Sequence, residues 1–178
     1  MNQQPKTVSQ SRVRMTELVM PNDTNPLGNL MGGRLLQWMD ACAAIAAQRH
    51  SNRVCVTVSV DFVEFRSPIK LGEVVLIEGA VTRAFRTSME VGLVVQAENP
   101  FTGDRRLSNR AYYTFVAVDQ NGRPIPVPEI RPETSEEQAE YENALKRREL
   151  RLLLAGRLKL SETDSSLREE LLRILGRA

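Results

Sequence analysis

The spacing of apolar residues changes several times along this chain, and each change predicts an element. Over residues 12–20, RVRMTELVM, Val13, Met15, Glu17 and Val19 alternate imperfectly with Arg14, Thr16, Leu18 and Met20, which predicts a first strand stopped by Pro21. Residues 21–33, PNDTNPLGNLMGG, have the Pro, Asn, Asp and Gly density of a loop. Across residues 34–49 the period becomes helical: Leu35, Met39, Cys42 and Ala46 form one stripe, widened by Leu36, Ala43 and Ala47. Its many alanines keep this helix small-sided, which suits a central helix closely covered by a sheet. From residue 54 the period is two. Val54, Val56, Val58, Val60 and Phe62 are the expected core positions, alternating with Cys55, Thr57, Ser59 and Asp61. Val63, Glu64 and Phe65 fall out of phase, as at a bulge. Further strands are predicted over 73–85, 88–98 and 106–118. Long strands joined by short connections predict an antiparallel meander with the one long helix on one face, an α+β arrangement.

Beyond this unit the pattern loosens. Residues 124–132, PIPVPEIRP, hold four prolines and read as an extended exit. A second helix is predicted over 134–155, capped by Thr134 or Ser135 and ended by Gly156. A third, over 163–175, has Ser166 and Glu169 as a capping box and an apolar stripe of Leu167, Leu171, Leu172 and Leu175. Such a short helix must pack on the domain or on another subunit. The expected division is a disordered polar tail (1–11), a folded domain (12–132) and a C-terminal helical extension (133–178).

Composition narrows the class. With 42% hydrophobic residues in 178, the chain can fold, and its net charge of +2 argues against nucleic acid as a partner. No apolar run approaches the ~20 residues of a membrane span, and the opening MNQQPKTVSQSRVR has no apolar run for a secretory signal. The single histidine and two cysteines match no zinc spacing and no disulfide framework. A cytoplasmic protein, without metal or membrane, is expected.

Some residues stand out chemically. Asp40 interrupts the most apolar helix, with Leu36, Ala43, Ala44 and Ala47 on its face. An unpartnered carboxylate there has a raised pKa, which suits a general base, whereas pairing with a cation such as Arg34 makes it structural. The loop delivers Asn25, Asn29, Gly32 and Gly33 to the helix N-terminus, where free N–H groups favour a negative oxygen or simply make a helix cap. Thr57, Ser59 and Asp61 form either a solvated strand face or a binding face. The Arg86-Thr87-Ser88 turn and the Lys146-Arg147-Arg148 run can hold phosphates or face solvent. There is no serine nucleophile elbow and no phosphate-binding glycine loop. His50 is isolated, Cys42 and Cys55 read as small core residues, and Trp38 reads as a packing or interface residue.

The run PNDTNPLGNLMGGRLLQWMDACAAIAA resembles the hotdog-fold acyl-CoA thioesterases, specifically the brain-type and bacterial acyl-CoA hydrolases. VTVSVDFVEFRSPIKLGE, TRAFRTSMEV, YYTFVAVDQNGRPIPVP and KRRELR resemble the same family, in order, over roughly residues 12–155. The resemblance implies an antiparallel sheet wrapped around a central helix, two hotdogs paired edge to edge, and hexamers as trimers of such dimers. It implies hydrolysis of acyl-CoA to CoA and a carboxylic acid, without a cofactor. Asp40 is then general base or nucleophile. Asn25, from the other subunit, orients water or the thioester, and the Gly32 and Gly33 N–H groups hold the oxyanion. Thr57, Val58 and Ser59 would line the CoA channel, Arg86, Thr87 and Ser88 would meet its nucleotide end, and Arg148 or Arg147 would reach its phosphates. Leu27 and Leu30 are placed to shape the acyl end. Two other readings stay open: a CoA-binding module without turnover, and a 3-hydroxyacyl-thioester dehydratase, which would call on His50.

Overall fold

The computed structural model describes residues 4–61 and 63–174. They divide into two compact units, up to Glu133 and from Thr134 onward. In the first unit the strands are β1 (Lys6–Thr7), β2 (Val13–Leu18), β3 (Val54–Asp61), β4 (Val74–Ala84), β5 (Ser88–Glu98), β6 (Arg105–Val118) and β7 (Ile130–Arg131). Its helices are α1 (Val8–Ser11) and α2 (Gly32–Ser51). Strands β2 to β6 form one antiparallel sheet in the order β2-β4-β5-β6-β3.

Helix α2 runs as its periodicity predicts. Leu35, Met39, Cys42, Ala43, Ala46 and Ala47 are buried, and they face strands whose alternate residues are also buried. These are Val75, Ile77 and Val81 on β4, Met89 to Ala97 on β5, and Ala111 to Ala117 on β6. Small residues let the layers close. A Cβ added at Gly79 would lie 2.7 Å from Leu93 Cδ2 and 3.2 Å from Cys42 Sγ. The helix ends where Asn52 turns left-handed at φ 52°.

Three expectations change. First, only β4, β5 and β6 form a meander. The chain between β3 and β4 crosses the sheet, so β3 pairs with β6 at one edge and β2 with β4 at the other. Second, the valines of β3 are not core in the single chain: Val54, Val56, Val58 and Val60 are between 44% and 65% exposed. The Thr57 hydroxyl and the Cys55 thiol instead reach α2, at Asp40 and Ser51. The register shift lies between Thr57 and Ser59, not at Val63–Phe65, so one extra residue resets the alternation. Phe62 lies outside the described residues. Third, residues 6–11 are not a loose tail. β1 pairs in parallel with β7, Val8 is buried, and the buried Ser11 hydroxyl accepts from Val81 N–H at 2.9 Å. The proline-rich 124–132 segment thus runs back over its own domain, with Ile125 N–H on Ala117 O and Val127 N–H on Arg86 O.

The second unit holds α3 (Ser135–Leu154) and α4 (Ser165–Ile174). Thr134 caps α3 by accepting from Glu137 N–H at 3.2 Å, and Gly156, at φ 66°, follows its end. The cap of α4 is Asp164 rather than a Ser166–Glu169 box: its Oδ1 accepts from the Ser166 N–H at 2.9 Å and hydroxyl at 2.6 Å. Leu167 is buried as expected. Leu175 lies outside the described residues.

Candidate active site

The loop before α2 is shaped by a buried carboxylate that the sequence pattern does not single out. Asp23 accepts from Met20 N–H at 3.0 Å and from Arg34 Nε at 2.7 Å, and its carbonyl takes the Met31 N–H. This turn presents Asn25, which is half-buried. Asn25 Oδ1 accepts from Leu27 N–H at 3.0 Å and Asn29 N–H at 3.2 Å. Both acceptor directions of the side chain are therefore spent on the loop, and its NH2 is the group left to donate.

The loop delivers the chain to the start of α2. Met31 makes no side-chain cap, no acidic residue stands in the first turn, and no described residue accepts the Gly32 or Gly33 N–H. Two free donors at a helix N-terminus stabilise negative charge on an oxygen. Gly32 lines a cavity of about 380 Å³ together with Asn25, Asn29, Leu30, Leu35, Phe65, Ser67, Pro68, Ile69 and Ser108. Its far wall, residues 65–69, is tied down on both sides: Arg66 N–H bonds Ser108 O, Arg106 bonds Pro68 O, and Leu30 N–H bonds Ile69 O. Leu30 is part of this wall, whereas Leu27 points outward and is 83% exposed.

Asp40 is eight residues further along α2 than Gly32, about 12 Å at 1.5 Å per residue. It does not line that cavity. Arg34 is committed to Asp23, and no described cation pairs with Asp40. What holds Asp40 is the Thr57 hydroxyl, donated to Oδ1 at 2.8 Å. Tyr113 stands close by: burial first, then the Asp40 charge, push its phenol up to about 12, so it stays protonated at neutral pH. A single chain therefore joins Asp40 to Thr57, while Asn25 lines the cavity by Gly32, which neither Asp40 nor Thr57 lines.

Of the other candidates, only two segments flank β6. Phe115 faces Thr57 on one side and Val116 faces Ser88 on the other. Thr57, Val58 and Ser59 thus lie two strand spacings, about 10 Å, from the Arg86-Thr87-Ser88 turn. Arg147 and Arg148 are on α3, in the second unit, where Arg147 bonds Glu140 Oε2 at 3.0 Å. His50 is ten residues along α2 from Asp40, about 15 Å away. It is fully buried, with Nε2 2.8 Å from Pro128 O, which disfavours a dehydratase histidine. Trp38 carries the Arg34 guanidinium 6.0 Å above its ring. Phe65 entered the sequence reading only as an out-of-phase residue, and Ser67, Ser108 and Tyr113 escaped it, because nothing in their local pattern marks them.

A curled antiparallel sheet closed over one long helix defines a hotdog protein, and comparison with known proteins agrees. The thioesterase superfamily model matches residues 27–101. An uncharacterized acyl-CoA thioester hydrolase of Bacillus subtilis, YkhA, is 43% identical over 138 residues, 78% of this chain and 80% of its own length. An apo-hexameric acyl-CoA thioesterase superposes with a TM-score of 0.83 at 44% identity, over 85% of this chain and 97% of the other. An acyl-CoA hydrolase of Staphylococcus aureus, solved with butyryl coenzyme A, coenzyme A and coenzyme A disulfide, superposes with a TM-score of 0.78 at 34% identity, over 85% and 94%. Further structures of the S. aureus enzyme carry an alanine in place of an aspartate, a threonine or an asparagine. This chain belongs to the thioesterase superfamily.

Proposed function

We propose that the protein hydrolyses acyl-CoA thioesters at sites shared between two copies. The observation that carries this reading is the division of the site: Asp40 with Thr57 in one place, Asn25 with the free helix donors in another. A second copy unites them if it packs against the open β3 edge, where four valines are exposed and no described strand pairs beyond. The three residues replaced in the S. aureus enzyme support the same set. Its asparagine precedes its aspartate by 15 positions and its threonine follows by 17, the spacings of Asn25, Asp40 and Thr57 here. The hexameric relative supports a trimer of such dimers.

In this mechanism Asp40 takes a proton from a water that attacks the thioester carbonyl carbon. The NH2 of Asn25 positions that water or the carbonyl, and the Gly32 and Gly33 N–H groups receive the oxyanion. The C–S bond then breaks, and the thiolate of CoA leaves and takes up a proton. In the alternative route, Asp40 attacks directly and a water cleaves the acyl-aspartate. Thr57 holds the carboxylate in aim in both. CoA would lie along Thr57, Val58 and Ser59, with its phosphates toward Arg86, Thr87 and Ser88; Arg147 and Arg148 of α3 are separate phosphate-binding candidates.

The test is thiol release from acyl-CoAs of graded length by wild type and Asp40→Asn. Turnover in the wild type and a loss of about 100-fold or more in the folded variant support the reading. Binding of acyl-CoA without thiol release would replace it with a binding module.

A further inference from the structure

The cavity beside Gly32 contains two hydroxyls that nothing in the fold uses. Ser67 Oγ and Ser108 Oγ are buried and have no hydrogen-bond partner among the described residues, and Ser108 is 1% exposed. Neither follows from the strand pattern. Val95 pairs with Asn109 and Gln96 with Leu107, so Ser108 is the extra residue of a bulge in β6, unpaired across the ladder. A bulge re-aims a side chain out of the regular alternation and is common beside functional sites. Here it turns two successive positions, Ser108 and Asn109, into buried ones, and Ser108 becomes part of the cavity wall. Its carbonyl takes the Arg66 N–H, which brings Ser67 to the same wall.

A buried hydroxyl without a partner is costly, and alanine or valine would fill such a wall without that cost. Apart from Asn25 and Asn29, the rest of the lining is apolar and suits an alkyl chain. Leu35 forms one side, and the Phe65 ring lies over the first turn of α2, 3.3 Å from where a Cβ on Gly32 would stand. The pocket therefore joins an apolar side to a polar one that carries Asn25, Asn29 and the two serines, beside the free N–H groups assigned to the thioester oxygen.

We infer that this cavity receives the acyl group and that Ser67 and Ser108 select acyl chains bearing a hydrogen-bonding substituent, a hydroxyl or a carbonyl, near the thioester. This rests on the thioesterase reading above. A plain alkyl chain leaves both hydroxyls unsatisfied, while an oxygenated chain satisfies them. Sites built to bond a substrate group discriminate strongly against the analogue that lacks it.

The experiment compares kcat/KM for 3-hydroxybutyryl-CoA and butyryl-CoA in wild type, Ser108→Ala and Ser67→Ala, each checked for folding by thermal melting. The expected result is a wild-type preference for the hydroxyacyl substrate of about tenfold, the worth of one neutral hydrogen bond. That ratio should fall toward one in Ser108→Ala. If Ser108→Ala fails to fold, the same fall is read in Ser67→Ala. A wild-type ratio at or below one, or a ratio that neither serine changes, overturns the inference while leaving the hydrolase intact. Absence of thiol release from every acyl-CoA of the graded series in the wild type defeats the hydrolase reading itself, and this one with it.

Discussion

At the scale of single residues, the chemistry of this protein depends on which polar groups are partnered. Asp40 looks anomalous in the sequence because a carboxylate interrupts an apolar helix. The structure resolves its pairing in favour of a neutral hydroxyl, Thr57, and against Arg34, which Asp23 occupies. His50 shows the opposite economy. Its Nε2–H donates to Pro128 O, and its buried Nδ1 has no partner among the described residues. Burial lowers its pKa, the Pro128 carbonyl opposes that, and the Lys6 charge adds to it. The unfolded chain takes up a proton near the ordinary value of 6.5 and the folded chain only below it. Stability is therefore full above 6.5 and declines as pH falls through the lower folded value. Thermal melts between pH 7.5 and about 5 should show this decline, and His50→Gln should flatten it. An unchanged slope in the variant would assign the decline to other groups.

At the scale of elements, β3 is the decisive one. An edge strand exposes unpaired backbone groups, and natural edges are usually guarded by charge. This edge presents valines instead, with 44% to 65% of each exposed, which suits burial against a second copy. Val56→Lys should leave the sheet and α2 intact, since Val56 touches solvent in the single chain, and should shift the protein toward its 20.0 kDa monomer in size-exclusion chromatography with light scattering. Thiol release should fall with it. A variant that keeps the wild-type mass would move the interface elsewhere.

At the scale of the molecule, the proposed sharing of each site between two copies makes a prediction that no single subunit can satisfy. Asn25→Ala and Asp40→Asn should each be nearly inactive. Co-expressed and assembled together, they should recover about a quarter of wild-type turnover, because random pairing makes half the dimers mixed and gives each mixed dimer one intact site of two. Recovery measured as thiol release from the mixed preparation tests this directly, and mixtures no more active than the parents would place both residues in one subunit's site.

The sequence by itself determined the elements built from local periodicity: the stripe of α2, the alternation of β4 and β5, the cap at Thr134, and the chemically odd Asn25, Asp40 and helix-start glycines. Neighbouring residues decide those features, because helix and strand periods are set within a few positions. Tertiary structure alone decided the rest. Whether β3 is central or at an edge depends on which distant strands it pairs with, so its valines could be read as core while they are in fact exposed. One extra residue at Val58, and another at Ser108, flips which side chains face inward, and single-residue bulges leave no mark in composition. The strand that orders residues 6–11 comes from β7, more than a hundred residues away. The cavity wall of Phe65, Ser67 and Ser108 exists only because β6 and the crossing segment meet, a contact between residues some forty positions apart that no local pattern encodes.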